Sequence, residues 1–279
     1  MLKQRVITAI FLITGILAAL FLLPPHGFGY LIVAVFALAA WEWADMSALS
    51  GQLLRVIYAA IVAAASLLAL NYIGLLHGLP DTTRLRDVLG VGCSFWALMF
   101  LWVRTYPGSA MIWGHFSVRS IMGLFVLVPA AVALVYVTSL SGGRWLFLYI
   151  IGIVASADIG AYFVGRQWGN RKLAVQVSPG KSWAGFWGGL VCSMVFAAVM
   201  GSLFSLVELT LPALILVTVI TALASVLGDL VESMVKRHRG IKDSSQLLPG
   251  HGGVMDRIDS MTAAAPVFTL LLVLLQAAG

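Results

Sequence analysis

Nine apolar runs leave this chain few ways to fold. They lie at roughly 6–23, 28–45, 54–76, 88–103, 119–139, 145–165, 183–205, 210–228 and 261–277, the fourth being the shortest. A helix that crosses a bilayer needs about 20 apolar residues. Runs of this length are expected to be helical, because a lipid-exposed strand would leave backbone groups unpaired. The composition agrees: 61% of the 279 residues are hydrophobic and 10% charged. Soluble domains carry about 25% charged residues. The chain is therefore read as an all-α, polytopic integral membrane protein with about nine transmembrane helices.

The basic residues set an expected topology. With residue 1 inside and nine spans, only Arg84, Arg86 and Arg144 of the 17 Lys and Arg fall outside. That asymmetry satisfies the positive-inside rule and puts the N-terminus in the cytoplasm. It also puts the two most polar connections, 166–182 and 229–260, on that face. The net charge of +6 thus reflects topology and an anionic substrate, with no nucleic acid expected. The connections at 24–27, 140–144 and 206–208 are short, and the longer ones at 77–87 and 104–118 carry no cluster of reactive residues. Cys93 and Cys192 lie in apolar runs and read as small buried hydrophobes. Trp41 and Trp43, with Glu42 and Asp45, read as an interfacial anchor, and Pro129 as a kink. No internal repeat is apparent. One membrane domain is expected, with N-terminal helices over 1–144 and the catalytic helices and loops over 145–279.

Polar residues stand out against this background. Ser225, Asp229, Glu232 and Lys236 share one helical face. Glu232 and Lys236 are spaced for a structural salt bridge at i, i+4, whereas Asp229 in its apolar setting needs a cation. Downstream, Pro249-Gly-His-Gly-Gly253 can bring backbone N–H groups to phosphate oxygens. His251 could be a base, a phosphate donor or a packing residue, and phosphate donor fits best. Asp256 and Asp259 follow on one helical face. Two such carboxylates can share a cation, and Mg²⁺ typically combines a few carboxylates with substrate phosphates. Asp256 could instead cap the last helix or pair with Arg257. Farther back, Asp158 sits inside the sixth run, where it needs a partner. Gly160 and Gly165 read as helix-packing positions. Ser178-Pro-Gly-Lys-Ser182 lacks the spacing and the preceding strand of a nucleotide-binding P-loop. It is expected to form a Pro-Gly turn that presents Lys181.

The stretch from Ser233 to Asp259 resembles the signature of the phosphatidate cytidylyltransferases, or CDP-diacylglycerol synthases. It carries Lys236-Arg237, Lys242-Asp243, Leu248-Pro-Gly-His-Gly-Gly253 and Asp256-Arg-Ile-Asp259. Leu227-Gly-Asp-Leu230, Asp158-x-x-Ala-Tyr-Phe-x-Gly-Arg166 and Ser178-Pro-Gly-Lys-Ser182 resemble other motifs of that family. The chain departs at Ser182, where many relatives have Thr, and at Ala184, where many have Glu. The resemblance implies that CTP and phosphatidic acid react to give CDP-diacylglycerol and pyrophosphate. It also implies Mg²⁺, a monovalent cation such as K⁺ beside it, a homodimer and a bacterial-type inner membrane with the site facing the cytoplasm.

On that basis Asp229, Asp256 and Lys236 are the expected catalytic residues. Asp229 and Asp256 would hold the metal, with Asp259 and Asp158 just behind them. Ser178, Lys181, Arg237, Lys242, His251, Gly252 and Arg257 would bind substrate. A CTP-dependent lipid-alcohol kinase and a transporter are the alternatives; the transporter would often show an inverted repeat.

Overall fold

Long apolar segments broken by glycine, proline and polar residues become helices joined by short connections. A computed structural model describes residues 2–78, 80–204 and 209–278. The helices are α1 (Leu2–Leu22), α2 (Pro25–Met46), α3 (Gln52–Tyr72), α4 (Thr82–Thr105), α5 (Ala110–Trp113), α6 (Phe116–Ser139), α7 (Gly143–Trp168), α8 (Trp183–Leu203), α9 (Leu211–Arg239) and α10 (Met255–Ala278). Nine of these coincide with the nine apolar runs. Eight are long and apolar enough to cross a membrane; the apolar part of the first, Val6–Leu22, is shorter. The expected connection at 206–208 and the side chains of Lys3 and Arg5 fall outside the described residues.

The boundaries differ most where charge enters. The apolar run ending at residue 228 continues as helix to Arg239, and α10 begins at Met255 rather than near 261. Helix propensity does not require apolarity, and Glu232, Met234 and Lys236 are good helix formers. The polar signature therefore rides on two helix ends and only 240–254 is loop.

α6 lies at the centre of the bundle, with 78% of its apolar window buried. It packs against α2, α3, α4, α7 and α10. Pro129 lies inside α6, and Gly92 of α4 packs so closely that a Cβ there would come within 2.8 Å of the proline ring. Large apolar side chains on the perimeter, such as Phe11, Leu53 and Ile112, are exposed. A bilayer would cover them.

The two ends of the bundle differ. At one end the Thr8 hydroxyl donates to the Pro249 carbonyl, Arg119 donates to the Met46 carbonyl at 2.6 Å, and Arg239 and Arg55 both pair with Asp45. His238 reaches the Gly114 carbonyl and packs against Trp113. At the other end Arg144 donates to the Leu23 carbonyl, and Arg84 donates to the Tyr72 carbonyl. The start of α1 and the signature loop thus share an end, as the basic-residue count expected.

Candidate active site

α7 and α8 are pressed together by glycines. A Cβ on Gly160 would lie 2.6 Å from the Cys192 Cβ, and one on Gly188 would lie 2.5 Å from Val164. Glycines that let backbones approach this closely are typical of membrane helix pairs. Between the two helices runs a small antiparallel hairpin, β1 (Lys172–Ala174) and β2 (Ser178–Ser182), with Lys172 opposite Ser182 and Ala174 opposite Ser178.

This corrects the expected Pro-Gly turn. Pro179 and Gly180 lie within β2, and the turn falls at residues 175–177. A proline is tolerated there because a two-stranded ribbon is all edge. The strand ends on Ser182, whose hydroxyl caps α8 by accepting from the Gly185 N–H at 3.1 Å. Lys181 is thereby fixed two residues before a helix, next to its cap. Its ammonium lies 2.5 Å from Asp229 Oδ2 on α9. Ser233 donates to the other oxygen of Asp229 at 3.1 Å. The cation that Asp229 needed is thus supplied from the other polar connection.

The remainder of the α9 stripe meets the start of α10. Lys236 Nζ lies 2.5 Å from Glu232 Oε2 and 2.5 Å from Asp256 Oδ1. The structural pair that the i, i+4 spacing suggested forms, and Asp256 joins it in a largely buried setting. Asp256 Oδ2 accepts from the Gly253 N–H at 2.7 Å, the Ser244 N–H at 2.9 Å and the Ser244 hydroxyl at 2.9 Å. Asp256 therefore ties the loop to the first turn of α10, and it does not pair with Arg257. Gly252, at φ 79°, would put a Cβ 2.5 Å from Asp256 Oδ2, so a side chain there has no room. Gly253 N–H is already held by Asp256, which leaves it unavailable to a phosphate. A Cβ on Gly228 would come within 2.5 Å of the Asp259 carbonyl, which shows how tightly α9 and α10 cross beside Asp229.

Three cavities surround this network. One, of about 490 Å³, is lined by Asp158, Tyr162, Arg166, Lys172, Lys181 and Ser182 and runs inward between α7, α8 and α9. A second, of about 750 Å³, is polar and lies in the signature loop between Lys242, Asp243, Ser245, His251, Gly252 and Arg257. A third, of about 350 Å³, is apolar except for Asp158 and Arg257. Ser178 and Arg237 line none of these three. Arg237 instead donates to the Ile241 carbonyl at 3.2 Å and closes the end of α9.

The carboxylates crowd one another. Glu232 and Asp259, Asp259 and Asp229, and Asp229 and Asp158 are each close enough to repel electrostatically. Buried Glu232 also has a carboxylate oxygen, Oε1, with no hydrogen-bond partner among the described residues. Among those residues, no three His, Cys, Asp or Glu side chains converge at ligand spacing. Mg²⁺ commonly combines a few carboxylates with phosphate oxygens and water.

Glu42 is the residue the sequence reading missed. It and Trp43 were expected at an interface, yet both are fully buried. Glu42 Oε1 accepts from the Ser245 hydroxyl at 2.5 Å and the Val254 N–H at 2.9 Å. Oε2 accepts from the Met255 N–H at 2.6 Å and the Ser244 hydroxyl at 3.2 Å. A carboxylate facing the N–H groups that open α10 is stabilised by the helix dipole. Glu42 is thus a long-range cap that holds the signature loop from α2. The only local hint was a carboxylate between two tryptophans inside an apolar run.

The chain matches the model of the cytidylyltransferase family over residues 3–275. It is 46% identical over 272 residues to a phosphatidate cytidylyltransferase of Pseudomonas aeruginosa, covering 98% of this chain and 97% of that one. It is 42% identical over 283 aligned positions to a phosphatidate cytidylyltransferase of Haemophilus influenzae, covering 96% and 98%. A shorter match, 44% over 135 residues, links about half of the chain to a phosphatidate cytidylyltransferase of Bacillus subtilis. With a family match over nearly its whole length and two near-full-length relatives, the chain belongs to the cytidylyltransferase family.

Proposed function

We infer that this integral membrane protein is an enzyme that transfers the cytidylyl group of CTP to phosphatidate. A phosphatidate phosphate oxygen attacks the α-phosphorus of CTP. The bond from that phosphorus to the α,β-bridging oxygen breaks, and pyrophosphate leaves. CDP-diacylglycerol stays in the membrane.

The observation that carries the reading is the Lys181–Asp229 pair. It joins the two polar connections at a point flanked by cavities that carry opposite charges on shared walls. Both reactants are polyanions, so the site must neutralise their repulsion and align them. Lys172 and Lys181 face the cavity proposed to take the triphosphate. Arg257, Lys242 and His251 face the loop cavity, where Arg257 takes the phosphatidate phosphate. Asp158 lines both the first cavity and the apolar one, so it stands between the two reactants. Lys236 keeps Glu232 and Asp256 in place. Asp229 and Asp256, with Asp259 and Asp158 beside them, are the proposed holders of Mg²⁺, and K⁺ is proposed as a companion ion. Bound there, Mg²⁺ would supply positive charge against the charge developing on the transferring phosphate. We place the site on the cytoplasmic face of the inner membrane, with CTP entering from water and lipid from the bilayer.

The decisive assay uses purified protein, phosphatidate, Mg²⁺ and CTP labelled on cytosine, followed by lipid extraction. Label is expected in the lipid. A γ-phosphate label appearing in lipid instead would make the enzyme a kinase, and no label in lipid from either position would overturn the assignment. In the same assay Asp229→Asn and Asp256→Asn are each expected to abolish turnover; near-normal rates in both would remove the metal assignment.

A further inference from the structure

The apolar cavity has a polar end that is shared with the site. Its walls come from α1, α2, α6, α7 and α10 and include Phe28, Phe36, Phe147 and Ile151. Phe28, Ile32, Phe36, Leu134 and Phe147 are buried, whereas Ile16 on α1 and Leu31 on α2 are 44% and 38% exposed, and Ala155 on α7 is exposed as well. Ile16 and Leu31 form a mouth on the lipid-facing side. At the far end stand Asp158 and Arg257, and Arg257 also lines the polar loop cavity. Among the described residues Arg257 makes no ion pair or side-chain hydrogen bond. A single uncommitted guanidinium therefore sits where a polar cavity meets an apolar one.

That juxtaposition selects an amphiphile. An apolar cavity is poor accommodation for water, which needs two or more polar partners. A guanidinium at its border suits a phosphate monoester, which it can grip with two parallel hydrogen bonds. We propose that this cavity binds one acyl chain of phosphatidate while Arg257 holds the phosphate. The proposal rests on the reading of phosphatidate as substrate and adds where its chain lies.

The dimensions limit how much lipid enters. The cavity spans α7 from Phe147 to Asp158, eleven residues or about 16 Å of helix. Its volume of about 350 Å³ is near the lower end of the roughly 300–1,000 Å³ found for small-molecule sites. One chain fits in part, and the second remains in the bilayer outside Ile16 and Leu31. Bilayer and cavity are equally apolar, so the cavity adds little affinity. Its contribution is alignment: a chain threaded between α2 and α7 aims the phosphate at Arg257.

Chain length gives the test. Ile151→Trp fills the middle of the cavity from α7, and Val35→Trp does so from α2. Each purified variant is assayed in mixed micelles with dioleoyl and with dihexanoyl phosphatidate. Misalignment of a reactant costs on the order of tenfold to a hundredfold in rate. Both variants are expected to lose at least about tenfold in kcat/KM for the dioleoyl lipid. The dihexanoyl lipid, whose short chains do not reach Ile151, is expected to stay within about twofold, with KM for CTP unchanged. Retained dihexanoyl turnover also reports that the variant folds. Equal losses with both lipids in both variants, or no loss with either, would overturn the proposal. Failure of the unmodified protein to cytidylylate either lipid would instead overturn the substrate assignment.

Discussion

Lys236 shows how far a single residue can be read in isolation. Its spacing from Glu232 predicts an i, i+4 pair, and the pair forms. The sequence does not reveal that Asp256, twenty residues on, shares the same ammonium in a buried setting. Breaking a buried pair leaves an uncompensated charge and costs about 3–5 kcal/mol. Lys236→Met, which leaves two carboxylates facing each other, is expected to lower stability by at least about 3 kcal/mol in thermal unfolding in detergent. A loss below about 1 kcal/mol would mean that the ammonium contributes little there. Glu42 is subject to the same reasoning. Glu42→Ala strips the acceptor from the Val254 and Met255 N–H groups. Leaving buried donors unmatched costs about 1–3 kcal/mol each, so a loss of at least about 2 kcal/mol is expected in the same measurement. Glu42→Gln, which keeps one carbonyl oxygen, should lose less. Equal losses in the two variants would show that side-chain volume, not hydrogen bonding, is what matters at this position.

At the level of elements, the site is as precise as the contact between helices that carry it. The hairpin presenting Lys181 hangs between α7 and α8, whose approach is set by Gly160, Gly185, Gly188 and Gly189. Gly185 and Gly189 would each put a Cβ within 2.7 Å of a carbonyl on α7. A leucine at Gly188 must push α8 away from Val164 and carry Lys181 off Asp229. Gly188→Leu is therefore expected to reduce cytidylyl transfer by at least about tenfold, since small displacements of aligned groups are costly. Gly15 on α1 has nothing within 4 Å of its Cβ position, so Gly15→Ala serves as the control and should be silent. Comparable activity of the two variants would sink the packing argument. The glycine spacing and the apolar runs are legible because they repeat along one helix. The hairpin was not: three and five residues rich in Lys, Ser, Pro and Gly have no strand signal of their own, and they pair only because α7 and α8 hold their ends together.

Across the whole molecule, basic side chains and the signature loop gather at one end of the bundle. The positive-inside rule predicts that this end faces the cytoplasm. Cysteines placed at exposed Gln246 and exposed Ser141, after replacement of Cys93 and Cys192, provide the check. A membrane-impermeant thiol reagent added to intact cells should label the Ser141→Cys variant and spare the Gln246→Cys variant. The reverse pattern would invert the topology and place the site away from its nucleotide. Sequence alone determined the membrane class, the nine apolar helices, the shared end of the two polar connections and the residues that carry the resemblance. Those features follow from hydropathy, charge bias and short motifs, all of which are local along the chain. Only the tertiary structure decided that Lys181 faces Asp229, that Lys236 bridges two carboxylates, that Glu42 holds the loop and that Arg257 borders an apolar cavity. Such pairings join residues up to about two hundred positions apart. They depend on which helix faces which, and a distance in space between helices leaves no periodicity in the sequence.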